Sequence, residues 1–430
     1  MFKFKRLLAL ALLLCTAGFA FKATASGLGG DSTREYWVDG PADVQPGTNR
    51  GAPDVAMNGQ GQSIHVWEAF SSMTLRNDIF LRRIDRNGSP LADPVQVNSL
   101  ATDDQFNARI AVSPDGTFLV IWQSDEFDAV AGAIRIWIRA QAFAANGSPM
   151  GGERLISAQS TGFGSNIRAD VAALTGGGYV VVWEQNGAGG SDTNSHIRAR
   201  LVAADGATSA ASFVANSSIS SVEADPAVSE LDSGGFLVIW RQGDIWGRIF
   251  DSTGNAVGSD QQLDSNAPTA KFNPDVARGA DGRLLVVWED EDAAGDGFEI
   301  RGRMFSPTLT AQGSDFRINT LLSGVQEAPR VGAYGSLGFL VVWASDVSAG
   351  NDAEPRSIEV RRVTGNNEFG GAQLQLNRWT TGNQHQPAIG GMEESIAVAW
   401  RSAAGNDEEV DDVITGQTWS VCGIFCDGFE

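Results

Sequence analysis

The sequence predicts an all-β fold: a seven-bladed β-propeller with four antiparallel strands per blade. Three observations predict it. An apolar run ending in tryptophan occurs seven times, a set of companion segments recurs with it, and the repeat is incomplete at both ends of the chain. The tryptophans are Trp67, Trp122, Trp183, Trp240, Trp288, Trp343 and Trp400. Each closes a run such as Leu-Val-Ile-Trp or Val-Val-Val-Trp. The runs recur at intervals of about 50–60 residues, enough for one blade with long loops. Aliphatic runs bounded by glycine turns mark strands buried on both faces.

Each run has three companions. Before it stands a Pro-x-Val-Ala type segment: Pro53–Ala56, Pro226–Ser229, Pro274–Ala277, Pro329–Gly332 and Pro387–Gly390, with Ala108 and Ala169 replacing the proline in two units. After it comes Ile79, Ile138, Ile197, Ile245, Ile300, Ile358 or Ile414. Three positions further on stands Arg82, Gln141, Arg200, Arg248, Arg303, Arg361 or Gln417. Last comes a short strand ending in Asn or a similar residue, as in Val95–Asn98 and Phe316–Asn319. One such unit cannot cover both its faces, so the units must stack, and a ring leaves no bare end. The seventh unit stops after its third strand, near Trp419. Its missing fourth strand stands at the other end of the chain, as Tyr36-Trp37-Val38-Asp39. The N-terminal strand is therefore expected to complete the last blade. A two-domain sandwich explains neither the seven units nor the part-unit at each end.

Residues 1–25 read as an export signal, residues 26–420 as the propeller and residues 421–430 as a tail. Lys3, Lys5 and Arg6 precede the apolar run Leu7–Phe21, and Ala23-Thr24-Ala25 supplies the small-x-small pattern for cleavage after Ala25. A lipoprotein reading would use Cys15, but Leu14 stands where a small residue is wanted. The expected location is periplasmic, cell-surface or extracellular, and no other segment is long and apolar enough to span a membrane. With 52 acidic and 31 basic residues the formal charge is −21. That surface repels nucleic acid and anionic lipid and attracts cations, although solubility alone is the simpler reading. Cys422 and Cys426 could close only a very short loop and could not staple the main fold. A monomer is expected.

What recurs in all seven units is architecture; what occurs in one is a candidate for function. The seven tryptophans should pack between blades. The Arg/Gln series should satisfy backbone carbonyls or stack on a neighbouring blade's ring. Asn87-Gly88, Asp115-Gly116 and Asp281-Gly282 suit tight hairpins. Less uniform is the residue after each proline position: Asp54, Arg109, Asp170, Ala227, Asp275, Arg330 and Ala388. On an innermost strand these would line the channel, where mutual pairing is the plain reading and a bound ion the sharper one.

The loops between second and third strands vary most. Blade 4 has the tight turn Arg241–Asp244, whereas most others carry acids: Asp125, Glu126 and Asp128 in blade 2, the 289–296 segment in blade 5, Asp346, Asp352 and Glu354 in blade 6, and Asp407–Asp412 in blade 7. Carboxylates on such loops suit Ca²⁺, a hard cation that takes oxygen ligands. Asp290, Asp292 and Asp296 are the candidate ligands, in a loop with Ala294 where another acid would help and Arg301 where a bidentate Glu would sit. A solvated acidic loop is the simpler reading. Trp379, His385, Phe127 and Phe298 are candidate ligand-binding residues, because exposed aromatics beside carboxylates can form a glycan platform.

Gly234-Gly-Phe-Leu-Val-Ile-Trp240 followed by Ile245-Trp-Gly-Arg-Ile-Phe-Asp251 resembles a repeat of secreted and surface bacterial proteins, G-G-F-x-V-V-W, an acidic loop, I-x-G-R-x-F-D and F-x-V-N. The resemblance spans nearly the whole mature chain. It implies a propeller and carries no activity or catalytic residue with it. The ending Ile424–Glu430 resembles short C-terminal tails of exported proteins, which suggests a sorting or surface-retention signal. Integrin-type calcium propellers are a more distant likeness, and their D-x-D-x-D-G loop is not intact here. Three functions remain open. One is a non-enzymatic binding or scaffold propeller that engages a glycan or protein, with calcium as a candidate cofactor. The second is a glycoside hydrolase or polysaccharide lyase acting at the channel mouth, with Asp103, Asp104, Asp225 and Glu327 among many eligible acids. The third is a purely structural surface protein.

Overall fold

A computed structural model describes residues 35–39, 50–71, 75–100, 103–128, 132–157, 165–186, 194–208, 211–217, 222–265, 268–291, 297–352, 356–392, 395–403 and 412–420. The export signal, the C-terminal tail and both of its cysteines lie outside the described residues.

Each tryptophan run is the second strand of an antiparallel sheet, and seven such sheets stand around a central channel. Blade 1 consists of Arg50–Met57, Ser63–Ser71, Arg76–Ile84 and Val95–Gln96, and blade 2 of Gln105–Val112, Phe118–Asp128, Ala133–Phe143 and Pro149–Leu155. Blades 3, 4 and 5 begin at Ser165–Ala173, Ala224–Glu230 and Lys271–Arg278. Blade 6 begins at Gln326–Ala333, and its outer strand is split into Glu368–Phe369 and Leu374–Gln375. Blade 7 is Gln384–Met392, Ser395–Ala403 and Asp412–Ser420, completed by Tyr36–Trp37. In that last pairing Trp37 stands opposite Thr415, which in turn stands opposite Trp400. The ring is closed by the chain's own first strand, as the half-units predict. Among the described residues no helix is long and apolar enough to cross a membrane.

The core is divided into seams between blades. Trp122 of blade 2 clusters with Ile64, Val66, Ile79 and Leu81 of blade 1, and Trp183 of blade 3 with Ile121 and Ile138 of blade 2. At the closing seam Trp67 meets Ala397, Ala399, Ile414 and the latch residue Val38. All seven tryptophans are at most 2% exposed, so they are architecture.

Polar groups stitch the same seams. Arg200, Arg248, Arg303 and Arg361 donate from Nη1 to the carbonyls of Ile156, Ala215, Leu263 and Ile318, each on the outer strand region of the preceding blade. Arg82 reaches Val38 and Gln417 reaches Leu376 in the same way, while Gln141 stays within its own blade. The rings under these guanidinium groups (Phe250, Phe305 and Phe369) belong to the arginine's own blade and not to a neighbour. The residue ending the outer strand has an equally regular partner. Asn98, Asn216, Asn319 and Asn377 each accept, through Oδ1, the backbone N–H of the recurring isoleucine at 2.8–2.9 Å.

A second internal covariation follows. At the start of the inner strand, Gln105, Gln326 and Gln384 accept the indole N–H of Trp122, Trp343 and Trp400 at 2.7–2.9 Å, and Asn166 does so for Trp183. Blades 1 and 5 place Arg50 and Lys271 there instead. In the same two seams the preceding outer strand ends in Asp39 and Asp264 where its equivalents are mostly Asn. The result is two buried ion pairs, Arg50–Asp39 at 2.5 Å and Lys271–Asp264 at 3.3 Å. In these two seams amide and charge are exchanged on both sides together, so each buried charge meets its counter-charge. Blade 4 differs, with Glu223 at the same inner-strand position 3.8 Å from His196 Nδ1 and Asn216 ending the preceding outer strand.

The central channel as candidate binding site

Every inner strand carries a β-bulge at the same point. Its left-handed residues are Ala52, Asn107, Arg168, Asp225, Asn273, Ala328 and Gln386, with φ between 42° and 53°. Such a backbone conformation is costly outside glycine and asparagine, and it bends the strand where two residues face one. In blades 2, 3 and 6 the bulged N–H is held by the residue that follows the tryptophan of the preceding blade, whereas Ala52 of blade 1 donates to Gln386 Oε1 of blade 7 at 3.1 Å. Asn107 donates to Glu68 at 2.8 Å, Arg168 to Gln123 at 2.7 Å and Ala328 to Glu289 at 2.5 Å. Burial pushes the Glu68 and Glu289 carboxyls up, against these hydrogen bonds. Between blades 3 and 4 the link runs through side chains. Arg168 bridges Glu184 and Asp225 at 3.1 Å each, and Arg241 holds the other oxygen of Asp225 at 2.8 Å.

Two residues beyond each bulge the chain reaches the channel wall. Asp54, Arg109, Asp170, Asp275 and Arg330 line a cavity of about 370 Å³, with Arg168, Asp225, Asn107 and Asn273 above them. A second cavity at the opposite end is lined by Met57, Val112 and Ile389 together with Glu230. The expected mutual pairing of the channel charges is replaced by another arrangement. Each carboxylate accepts a backbone N–H from the next blade: Ile110 donates to Asp54 at 2.9 Å, Val228 to Asp170 at 2.8 Å, and Val331 to Asp275 at 2.8 Å. An inner strand exposes unpaired N–H groups on its channel edge, and the aspartates satisfy them across the seam.

The charges nevertheless feel one another. Burial pushes the Asp170 carboxyl up to about 7, and repulsion from Asp275 adds to it while the Val228 N–H and Arg109 oppose it. Burial also raises Asp54 and Asp275, with Arg109 and Arg330 the chief opposing charges. The folded state therefore holds a proton on Asp170 that the unfolded chain releases near its ordinary carboxylate range. Stability from this group is present at low pH and is lost as pH rises toward and through about 7. Asp170→Asn keeps the acceptor for Val228. It should flatten that decline, read as the urea midpoint at pH 5 and pH 8; an unchanged slope would show that Asp170 does not titrate there.

The other anticipated site residues are scattered around the ring. Asp290 is buried, with Thr269 donating to one of its oxygens and Trp288 Nε1 and Arg301 Nε each 3.5 Å from the other; Asp292 and Asp296 lie outside the described residues. Phe127 and Phe298 stand on strands rather than on loops. The blade 2 hairpin runs on through Asp125 and Glu126, with Phe127 62% exposed opposite Ile134. Phe298 packs edge-on against Phe272. His385 is the second residue of the inner strand of blade 7, and burial, aided by Arg401, lowers its pKa to about 4. Trp379 rests at the edge of blade 7, 5.4 Å from Trp37 in an edge-to-face contact, with its backbone N–H donating to Glu35 at 3.2 Å. Apart from Asp225, named as an eligible acid, and Glu289, counted in the acidic 289–296 segment, the bulge residues and the acids after the tryptophans were not singled out from sequence. The signal for the latter was available, as Glu68, Gln123, Glu184, Arg241, Glu289, Ala344 and Arg401 vary beside a tryptophan common to all seven blades.

No protein-family model matches the sequence, and no curated protein matches it. Solved structures do resemble it. A protein of unknown function from Dyadobacter fermentans aligns over 90% of this chain and 98% of its own, at 9% identity and TM-score 0.53. An ulvan lyase, described as a new family of polysaccharide lyase, aligns over 92% and 99% at 9% identity and TM-score 0.53. A Hadza microbial sialidase aligns over 90% and 68% at 10% identity and TM-score 0.51. At these identities the likeness is one of fold: what this chain shares with them is the propeller.

Proposed function

We propose that the protein is an exported, monomeric, non-enzymatic binding propeller that takes a glycan at the face where its charged channel opens. One observation carries the reading. The 370 Å³ axial cavity is walled by acceptors and donors fixed on rigid strands, the setting in which small polar ligands are recognised. Its aspartates are each held by a neighbour's backbone, so they are positioned acceptors for hydroxyl groups. The Trp37–Trp379 pair, 39% and 37% exposed, adds an apolar surface at the edge of blade 7. The acidic 289–296 segment suits Ca²⁺ as a helper; an equal melting temperature in calcium and in chelator removes that part. A glycan array followed by calorimetry tests the main reading. Saturable binding without turnover is expected, and silence across the array overturns it.

A second reading, a carbohydrate-active enzyme with its site at the channel mouth, is favoured by Asp170. A carboxyl pushed up to about 7 is protonated where a general acid must be. Two of the similar folds are named a lyase and a sialidase. Product release from a polysaccharide panel, abolished in Asp170→Asn, would establish this reading in place of the first.

A further inference from the structure

The two channel arginines are placed unlike the other arginines of the seams. Both stand in strand ladders, Arg330 opposite Val342 and Arg109 opposite Ile121. Among the described residues the Arg330 side chain makes no hydrogen bond or ion pair, and the Arg109 side chain makes one hydrogen bond, from Nη1 to its own neighbour's carbonyl, Ala108, at 3.0 Å. Both line the 370 Å³ cavity. A guanidinium group has five N–H donors, so most of this donor capacity faces the cavity. Among the charges acting on Arg109, the repulsion from Arg330 exceeds the attraction of any single carboxylate. Two like charges thus share a confined space, and neither has a carboxylate at ion-pair distance. The aspartates use one hydrogen bond each on a neighbour's N–H and keep acceptor capacity to spare. Blades 4 and 7, with Ala227 and Ala388 at the equivalent position, leave room between the charged groups.

We propose that the channel takes an anionic sugar unit, carboxylated or sulfated, whose charged group is held between Arg109 and Arg330 while Asp54, Asp170 and Asp275 accept from its hydroxyls. The arrangement sorts ligand groups by sign. Planar guanidinium forks match carboxylate and sulfate oxygens, and carboxylates match hydroxyl donors. A neutral sugar leaves the two guanidinium groups uncompensated, and a bare anion leaves the aspartates facing it. The inference rests on the glycan-binding reading above and narrows it to a ligand class.

The test titrates the full chain with D-glucuronate, D-glucose 6-sulfate, D-glucose and inorganic sulfate. The anionic sugars are expected to bind about tenfold or more tightly than glucose or sulfate alone, because charge-assisted bonds are gained only when both ligand features are present. Arg330→Met should remove that advantage, bringing glucuronate and glucose 6-sulfate to the affinity of glucose in the same variant, and Arg330→Lys should restore part of it. If Arg330→Met does not fold, the salt dependence of the unaltered protein decides: affinity for glucuronate must fall with salt while that for glucose stays level. Glucose equal to glucuronate, sulfate alone as tight as the sugars, or no effect of Arg330→Met or of salt overturns the inference. A neutral glycan that binds with no gain from charge removes this inference and leaves the binding propeller standing, whereas silence on the array removes both.

Discussion

Asp39→Ala is expected to cost about 3–5 kcal/mol, the range for removing one partner of a buried ion pair. Asp39 is 1% exposed and Arg50 4% exposed, and the side chains meet at 2.5 Å across the seam where the ring closes. Alanine would leave a guanidinium group in the closing seam without its counter-charge. The latch strand itself is only Tyr36–Trp37, and Val38, the Arg82 bond to its carbonyl and Tyr36 Oη on Thr418 at 2.7 Å add to its hold. A lowered urea midpoint, with protease cutting that begins ahead of Arg50, would register the loss. The repeat also supplies the rescue. Asp39→Asn with Arg50→Gln rebuilds the all-amide seam of blades 6 and 7, where Asn377 caps Ile358 and Gln384 holds Trp400. The double variant should recover most of the stability, while Arg50→Gln alone should not. A midpoint that stays put in Asp39→Ala would show that the pair does not fasten the ring.

The blade count, the order of strands and the latch were legible because a repeat states them seven times and its ends state the closure. A buried strand can be read from its run of aliphatic residues, and the missing fourth strand from its absence after Trp419. The architecture of the Arg/Gln series was legible in kind, as donors to carbonyls, but not in direction. That most of these donors reach the preceding blade depends on how neighbouring sheets face one another. The channel residues could be placed from the Pro-x-Val-Ala segments. Their chemistry could not, because an Asp beside an Arg in sequence-equivalent positions suggests pairing, whereas the channel edge of the next inner strand offers each Asp a backbone N–H. The place of Asp290 on a strand was not legible, for a local reason. An acid two residues after the tryptophan looks like a loop ligand, yet the hairpin is longer than its glycines suggest and Asp290 is still on the strand, turned toward Thr269 and Lys271.

Trp183→Ala should cost about 3–5 kcal/mol, as expected for truncating a fully buried tryptophan. Trp183 is 0% exposed and fills the seam between blades 2 and 3 among Ile121, Ile138 and Val181. Two terms can be separated there. Its indole N–H donates to Asn166 Oδ1 at 2.9 Å inside the seam, and Asn166 donates onward to the Ile136 carbonyl at 3.0 Å. Trp183→Phe keeps most of the ring and leaves that acceptor without its donor, a loss of about 1–3 kcal/mol. The difference between the two variants then measures packing alone. Trp379→Ala is the control: this ring is 37% exposed and touches Trp37 at the surface, so its stability cost should stay within about 1 kcal/mol. A ring of mutually covered blades requires this order, with the buried indole far costlier to lose than the exposed one. Equal midpoints for Trp183→Ala and Trp379→Ala in the same denaturant series would mean that the seams are not where the fold stores its stability.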